Sequence, residues 1–324
     1  MPTRRDALTL MLAAALPRLA TAQADYPDRP IRLLVPFSAG GSPDLAARLL
    51  GGQLGKQLGQ GVIVENRLGA NGIIAAEAVA KAAPDGYTLL FHTGSHVINP
   101  SIYKKLPFDT FADFAPVSLL AVAPALTLVV SPSSPYKTIK DFLVAARNPA
   151  ANVSYGSPGV GNTLHLAGEL LNMLGGTRML HVPYKGAAPA LAAVMGGEVT
   201  ACFLSTTAAV IAVRAGQVRP LAVTSAQRIA SFPEVPSLAE SGVAGLDYNG
   251  GWNGVFAPAR TPRAIVQRLS AEIAKALHSP EVKEKMLSWD SPPLGNTPDE
   301  FTRFLAAEHE KFARIVKQAN IPMQ

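Results

Sequence analysis

The sequence predicts an α/β fold of two lobes around a central cleft, and three observations carry that reading. Short apolar runs alternate with amphipathic helical stretches, the pattern of βαβ units with mainly parallel sheets. One local design, an apolar strand followed by a Gly/Ser loop and a helix, occurs at 31–58 and again at 153–174. The chain of 324 residues exceeds what one compact core usually holds, and the apolar run 117–130, broken by Pro124, suits a passage between two bodies. Lobe one is expected at residues 25–122 and 225–324, and lobe two at 123–224. Two crossings between similar lobes suggest hinge closure on a ligand.

Residues 1–24 stand apart. Arg4 and Arg5 precede a short apolar run, 7–16, and small residues follow at 20–24, which is the plan of a secretory signal peptide. The arginine pair also fits twin-arginine export, although Asp6 and Ala7 occupy places usually held by large apolar residues. A periplasmic chain beginning near Gln23 or Asp25 is expected. No cysteine marks a lipid anchor at the cleavage region, and no stretch has the apolar length of a membrane span.

The elements follow in order. Residues 31–35 read as a strand, and the loop Phe37-Ser38-Ala39-Gly40-Gly41 leads into a helix. Ser42 suits its N-cap, Pro43 its first position, and Asp44 the first turn, where a negative charge meets the helix dipole. Leu45, Leu49, Leu50, Leu54 and Leu58 form its apolar stripe. A strand at 62–64, a helix at 73–83 and a strand at 87–91 come next, ending in a small polar loop that holds Thr93 and Ser95. Beyond the passage, Thr138 and Asp141 form a variant capping box. A strand at 153–155 then meets the loop Gly156-Ser157-Pro158-Gly159-Val160-Gly161-Asn162-Thr163, with a helix at 164–174. Strands at 179–184, 199–204, 218–224 and 252–257, Ala-rich helices between them, and three C-terminal helices complete the chain. Those last helices are expected to pack on lobe one.

The formal charge is +6, and removal of residues 1–24, with three arginines and one aspartate, leaves +4. That dispersed excess attracts small anions but forms no nucleic-acid stripe. Nucleotide motifs fail: 156–161 reads G-x-x-G-x-G, and no G-x-x-x-x-G-K-[ST] occurs. His92 and His96 lack the surroundings of a metal motif, so neither metal nor cofactor is expected. No G-x-S-x-G elbow is present. Cys202, the single cysteine, lies in an apolar run and reads as a buried hydrophobe. The positive signals are glycine-bearing loops at helix N-termini, where backbone N–H groups can meet an anion. Thr261-Pro262 and Thr297-Pro298 use similar residues merely to start helices, so local sequence leaves capping and binding both open.

A longer series of residues narrows the choice. It comprises Tyr26-Pro27-Asp28-Arg29-Pro30-Ile31, Val35-Pro36-Phe37 with Gly40-Gly41 and Asp44, and Pro84-Asp85-Gly86-Tyr87-Thr88-Leu89-Leu90. Asn99-Pro100, Leu106-Pro107-Phe108-Asp109, Asp113-Phe114-Ala115-Pro116-Val117 and His165-Leu166-Ala167-Gly168-Glu169-Leu170 follow. Val182-Pro183-Tyr184-Lys185-Gly186, Leu221-Ala222-Val223-Thr224 and Phe256-Ala257-Pro258 close it. In these the chain resembles the Bug family, the extracytoplasmic solute-binding receptors of tripartite tricarboxylate transporters.

The resemblance implies a two-lobed periplasmic-binding-protein-like fold of type II, hinged around the cleft, with a small mono-, di- or tricarboxylate as ligand. It implies grip by loops 37–44 and 156–163, through backbone N–H groups, hydroxyls and water more than salt bridges. Carried over by position, the binding residues are Phe37, Ser38, Ala39, Gly40, Gly41, Ser42, Asp44, Gly156, Ser157, Gly159, Gly161, Asn162 and Thr163. Thr93, Ser95, Lys185, Gly186, Leu204 and Ser205 join them. Asp44 has two roles open, helix-dipole stabilisation or a ligand contact. Where many relatives carry Phe-Asp, this chain has Phe203-Leu204, which alters ligand choice. Gly41→Val or Gly159→Val is expected to abolish binding with the fold intact. The implied partners are membrane permease subunits. A sensor kinase is an alternative partner, an exported hydrolase or lyase an alternative function, and monomer the simple default.

Overall fold

The computed structural model describes residues 26–246 and 248–324. The expected export signal falls outside the described residues. The first sheet contains β1 (Ile31–Val35), β2 (Val62–Asn66), β3 (Thr88–Thr93), β4 (Phe114–Val122) and β10 (Trp252–Pro258), in the order β2-β1-β3-β10-β4. The second contains β5 (Leu126–Val130), β6 (Ser154–Ser157), β7 (Leu180–Pro183), β8 (Ala201–Ser205) and β9 (Arg219–Val223), in the order β7-β6-β8-β5-β9.

Both sheets are mixed rather than mainly parallel. β1 runs parallel to β2 and β3, with Leu33 opposite Val64 and Leu89, and β6 runs parallel to β7 and β8. β10 is antiparallel to β3 and β4, and β5 is antiparallel to β8 and β9. The reason is topological. Strand–helix alternation fixes direction only for strands joined by a local crossover, and β5 and β10 are the strands that each arrive from the other sheet.

The helices are α1 (Ser42–Leu58), α2 (Ile73–Ala80), α3 (Ser95–Ile102), α4 (Ile139–Arg147), α5 (Thr163–Gly175), α6 (Ala187–Met195) and α7 (Thr206–Arg214), then α8 (Arg263–Leu277), α9 (Pro280–Ser288) and α10 (Pro298–Gln318). The sequence does not announce α3, because it opens on small polar residues and contains Pro100. Burial of Val97, Ile98 and Ile102 overrides that weak propensity. The Thr138–Asp141 capping box starts α4 as its residues predict. Ala47, Leu50 and Leu54 are the buried face of α1, while Leu45, Leu49 and Leu58 are only partly covered.

Leu33, Val35 and Phe91 of the first sheet pack in one core with Leu50 of α1 and Leu269 and Ile273 of α8. On the other face, Phe301 of α10 presses so closely that a Cβ on Gly254 would lie 2.2 Å from its ring. The chain passes between the sheets twice, near Ala123–Ala125 and Tyr248–Gly251. These passages are paired: Ala123 N–H donates to Gly251 O (2.9 Å) and Gly250 N–H to Ala123 O (2.8 Å).

Candidate functional site

A cleft of about 290 Å³ lies between the sheets. The loop after β1 supplies Phe37, Ser38, Gly40, Gly41 and Ser42, and Thr93 comes from the end of β3. The second lobe supplies Pro158, Asn162, Thr163, Leu204 and Ser205, the two passages supply Ala123, Gly250 and Gly251, and the start of β10 supplies Trp252 and Asn253. Four helices, α1, α5, α6 and α7, begin at this cleft. The first N–H groups of each have no acceptor within their own helix, and the helix dipole makes that end positive. No Asp, Glu, Lys, Arg or His among the described residues lines the cleft. The arrangement therefore offers preoriented amides and hydroxyls, and opposes an anion with no fixed negative charge.

Asp44 sits behind this surface. Its side chain is buried, with Gly40 N–H donating to Oδ2 (2.9 Å), Asn66 Nδ2 to Oδ1 (2.8 Å) and Arg48 to both oxygens (3.0 and 2.9 Å). Burial alone would raise its pKa, but the bonds from Arg48, Gly40 and Asn66 outweigh that and hold it below the ordinary carboxylate value. Asn66 also donates to Phe37 O (2.9 Å), so one buried knot shapes loop 37–41. The helix N-cap is Gly41, not Ser42, and it makes no side-chain capping bond. Gly41 has no side chain to cap with; the Asp44 carboxylate in the first turn reaches back instead to Gly40 N–H, which fixes the entry of the chain into the helix.

The second loop is held in a comparable way. Asn162 caps α5 by accepting from Leu164 N–H (3.0 Å), and its amide donates to Ser95 Oγ (3.2 Å) and Asn71 Oδ1 (3.4 Å) in the first lobe. Ser157 Oγ lies 2.6 Å from His181 Nε2 and accepts from Gly159 N–H (3.2 Å). Gly161 N–H donates to His165 Nδ1 (3.2 Å), and the His165 and His181 rings lie 4.0 Å apart. Burial pushes His165 down to about 3, helped by His181, and His181 down to about 4. Both are neutral near pH 7, which leaves His165 Nδ1 free to accept.

Of the residues singled out from sequence, Phe37, Ser38, Gly40, Gly41, Ser42, Thr93, Asn162, Thr163, Leu204 and Ser205 line the cleft. Ala39, Asp44, Ser95, Gly156, Ser157, Gly159, Gly161, Lys185 and Gly186 do not. Several of these stand directly behind it. Ser95 meets Asn162 as above, and a Cβ on Gly186 would lie 2.9 Å from Ser38 Oγ, so loops of the two lobes approach closely there. Lys185 is exposed. Sequence reasoning missed Ala187, Ala188 and Leu191 of α6, and Thr207, Ala208, Ile211 and Ala212 of α7. Their i, i+1, i+4 spacing after loops already singled out was a readable signal. Trp252, Asn253, Gln217 and Ser291 carried none.

Comparison with known proteins gives the same picture. The model of the tripartite tricarboxylate transporter family receptor matches residues 46–321. The periplasmic binding protein BugD is 32% identical, with a TM-score of 0.87 over 92% of this chain and 100% of its own. R. palustris Rpa4515 with adipate is 35% identical, with a TM-score of 0.88 over 93% of this chain and 100% of its own. MatC from Rhodopseudomonas palustris with bound malate is 31% identical, with a TM-score of 0.84 over 90% and 100%.

Proposed function

Because the chain belongs to the receptor family of tripartite tricarboxylate transporters, we propose that it captures a small carboxylate in the cleft between its lobes and hands it to membrane permease subunits. The family is one of periplasmic solute-binding proteins, not enzymes. One observation carries the ligand class: four helix N-termini meet at a cleft that no charged side chain among the described residues lines. Adipate and malate in two neighbours support it. In this reading Ser38, Gly40, Gly41, Ser42, Thr93, Asn162, Thr163 and Ser205 meet the carboxylate, Phe37 and Leu204 flank its body, and Asp44, Ser95 and Ser157 hold the loops in place. The lobes close by bending at the paired passages.

The test is a thermal-shift screen of the purified protein against carboxylates, sugars and cations. A ligand that binds only the folded state stabilises it by roughly 2.7 kcal/mol at a hundredfold excess over Kd. A rise in Tm with carboxylates alone is expected. No rise with any carboxylate, together with no co-purified acid in native mass spectrometry, overturns the reading. Uptake of the labelled ligand by cells with and without the gene tests delivery.

A further inference from the structure

The two ends of the cleft differ in their chemistry. At one end, the first turns of α1, α5, α6 and α7 present amides and hydroxyls. From there the cleft runs along one face of α7, from Thr207 and Ala208 to Ile211 and Ala212, bordered by Leu191, Leu204 and Trp252. Amides past the first turn of a helix are already bonded within it.

The backbone of the passages offers no replacement donors. Ala123 N–H and Gly250 N–H bond each other's strand, and Gly251 N–H donates to Asn249 Oδ1 (3.3 Å). The indole of Trp252 is packed in the core against Phe301 and Phe304, with its N–H on Glu308 Oε2 (3.1 Å), so it brings no donor to the cleft. What remains polar there is neutral: the exposed Gln217 side chain, the Asn253 side chain and the Ser291 hydroxyl. A second carboxylate seated at this end would lose its hydration without gaining a charged partner or a helix N-terminus.

We propose that the ligand is a monocarboxylate with an apolar aliphatic or aromatic body, its single anionic group at the helix N-termini and its body along α7, Leu191 and Leu204. This rests on the carboxylate reading above and narrows it. Leu204 is the specificity-determining residue on the second lobe, since it places a branched apolar side chain where the cleft turns from amides to hydrocarbon.

Hexanoate and adipate have the same carbon count and differ only in a far-end methyl or carboxylate. Titration calorimetry of the purified full chain, after exhaustive dialysis, is expected to give hexanoate at least tenfold tighter than adipate. Each methylene from butanoate to hexanoate strengthens binding by up to about fourfold, the factor for burying one such group. Ile211→Asn, at a partly exposed position that the fold tolerates, weakens hexanoate about fivefold and malate less than twofold. Adipate or malate binding tighter than hexanoate overturns this proposal and leaves the carboxylate receptor standing. Flat affinity along the chain-length series overturns it as well. Failure of hexanoate, benzoate, adipate and malate alike overturns this proposal, and overturns the carboxylate reading as well where no other carboxylate raises Tm and no acid co-purifies.

Discussion

Replacing Asp44 separates a loop organiser from a ligand contact. Its carboxylate is 1% exposed and takes four N–H bonds, so its loss can be reckoned from its partners. The Arg48 side chain is 49% exposed, so that ion pair is screened and contributes at most about 1 kcal/mol. The bonds from Gly40 and Asn66 are sheltered, and a bond to a charged acceptor contributes about 1.5–3 kcal/mol. Its place in the first turn of α1 adds about 0.3–1 kcal/mol. Asp44→Ala is therefore expected to cost about 4 kcal/mol. Asp44→Asn keeps one acceptor but aims an amide at donors, and is expected to cost about 2–3 kcal/mol. In a chain of this size each kcal/mol lowers Tm by about 2 °C, so the alanine variant melts about 8 °C lower by circular dichroism at pH 7. The folded pKa lies below the ordinary 3.8, so the contribution is present above that value and is lost as pH falls through the folded value. Variant and wild type should converge only in strong acid. An unchanged Tm with weakened carboxylate binding would refute this reasoning and make Asp44 a ligand contact.

Gly41→Val should remove carboxylate affinity while shifting Tm by no more than about 2 °C. Gly41 has φ −72°, open to any residue, and a Cβ there meets Ser38 O at 3.2 Å on the cleft loop; calorimetry showing wild-type affinity counts against the site. Gly159→Val is not the equivalent test the sequence suggests, because φ +139° strains any β-branched residue, and it should destabilise by about 1–3 kcal/mol. Histidine burial predicts acid sensitivity. Burial depresses His96 to about 4, so the unfolded chain binds more protons below pH 6.5 and stability falls as pH drops from there toward 4. His96 alone should cost about 2 kcal/mol between pH 7 and pH 5, and His96→Phe should make a Tm-against-pH curve shallower over that range, with buried histidines such as His165 and His181 supplying the slope that remains. Burial pushes the Cys202 thiol up to about 12, so iodoacetamide should label it only after unfolding; rapid labelling of the native protein contradicts its packing.

The parts of the fold that were legible are those set by local pattern. Apolar runs named the strand regions other than β4 and β5, which lay within the run read as a passage between lobes; Thr138 and Asp141 named a helix start, and two glycine-bearing stretches named two loops that face the cleft. What was hidden depends on the other lobe. The direction of β5 and β10 follows from where they come, and α3 exists because its apolar face is buried. Asp44 shows the limit at the site itself. Its spacing to Arg48 is visible in sequence, but the Asn66 amide that turns its carboxylate away from the cleft comes from the neighbouring strand. Leu204 was legible as a departure from the family pattern, whereas the cleft-facing side of α7 beside it carries no motif and is set by how the helix packs.

A site without charged side chains suits a receptor that must also release. A buried Lys or Arg would lose hydration as the cleft shut and would hold its anion strongly once the pair was dry. Helix amides are fixed by the fold and lose little on closing. They also come from both lobes, α1 on one side and α5, α6 and α7 on the other, so in the proposed opening an anion loses one set of donors at a stroke. The passages are wired to that grip. Thr224 Oγ accepts from Leu126 N–H at the first passage and donates to Tyr248 O at the second. The Tyr248 hydroxyl then donates to Thr163 O (3.1 Å), at the start of α5. In the proposed closure, bending at the passages would act on the N-terminus of α5 through a single buried residue, which makes Tyr248→Phe the substitution that would loosen closure from capture without touching the cleft lining.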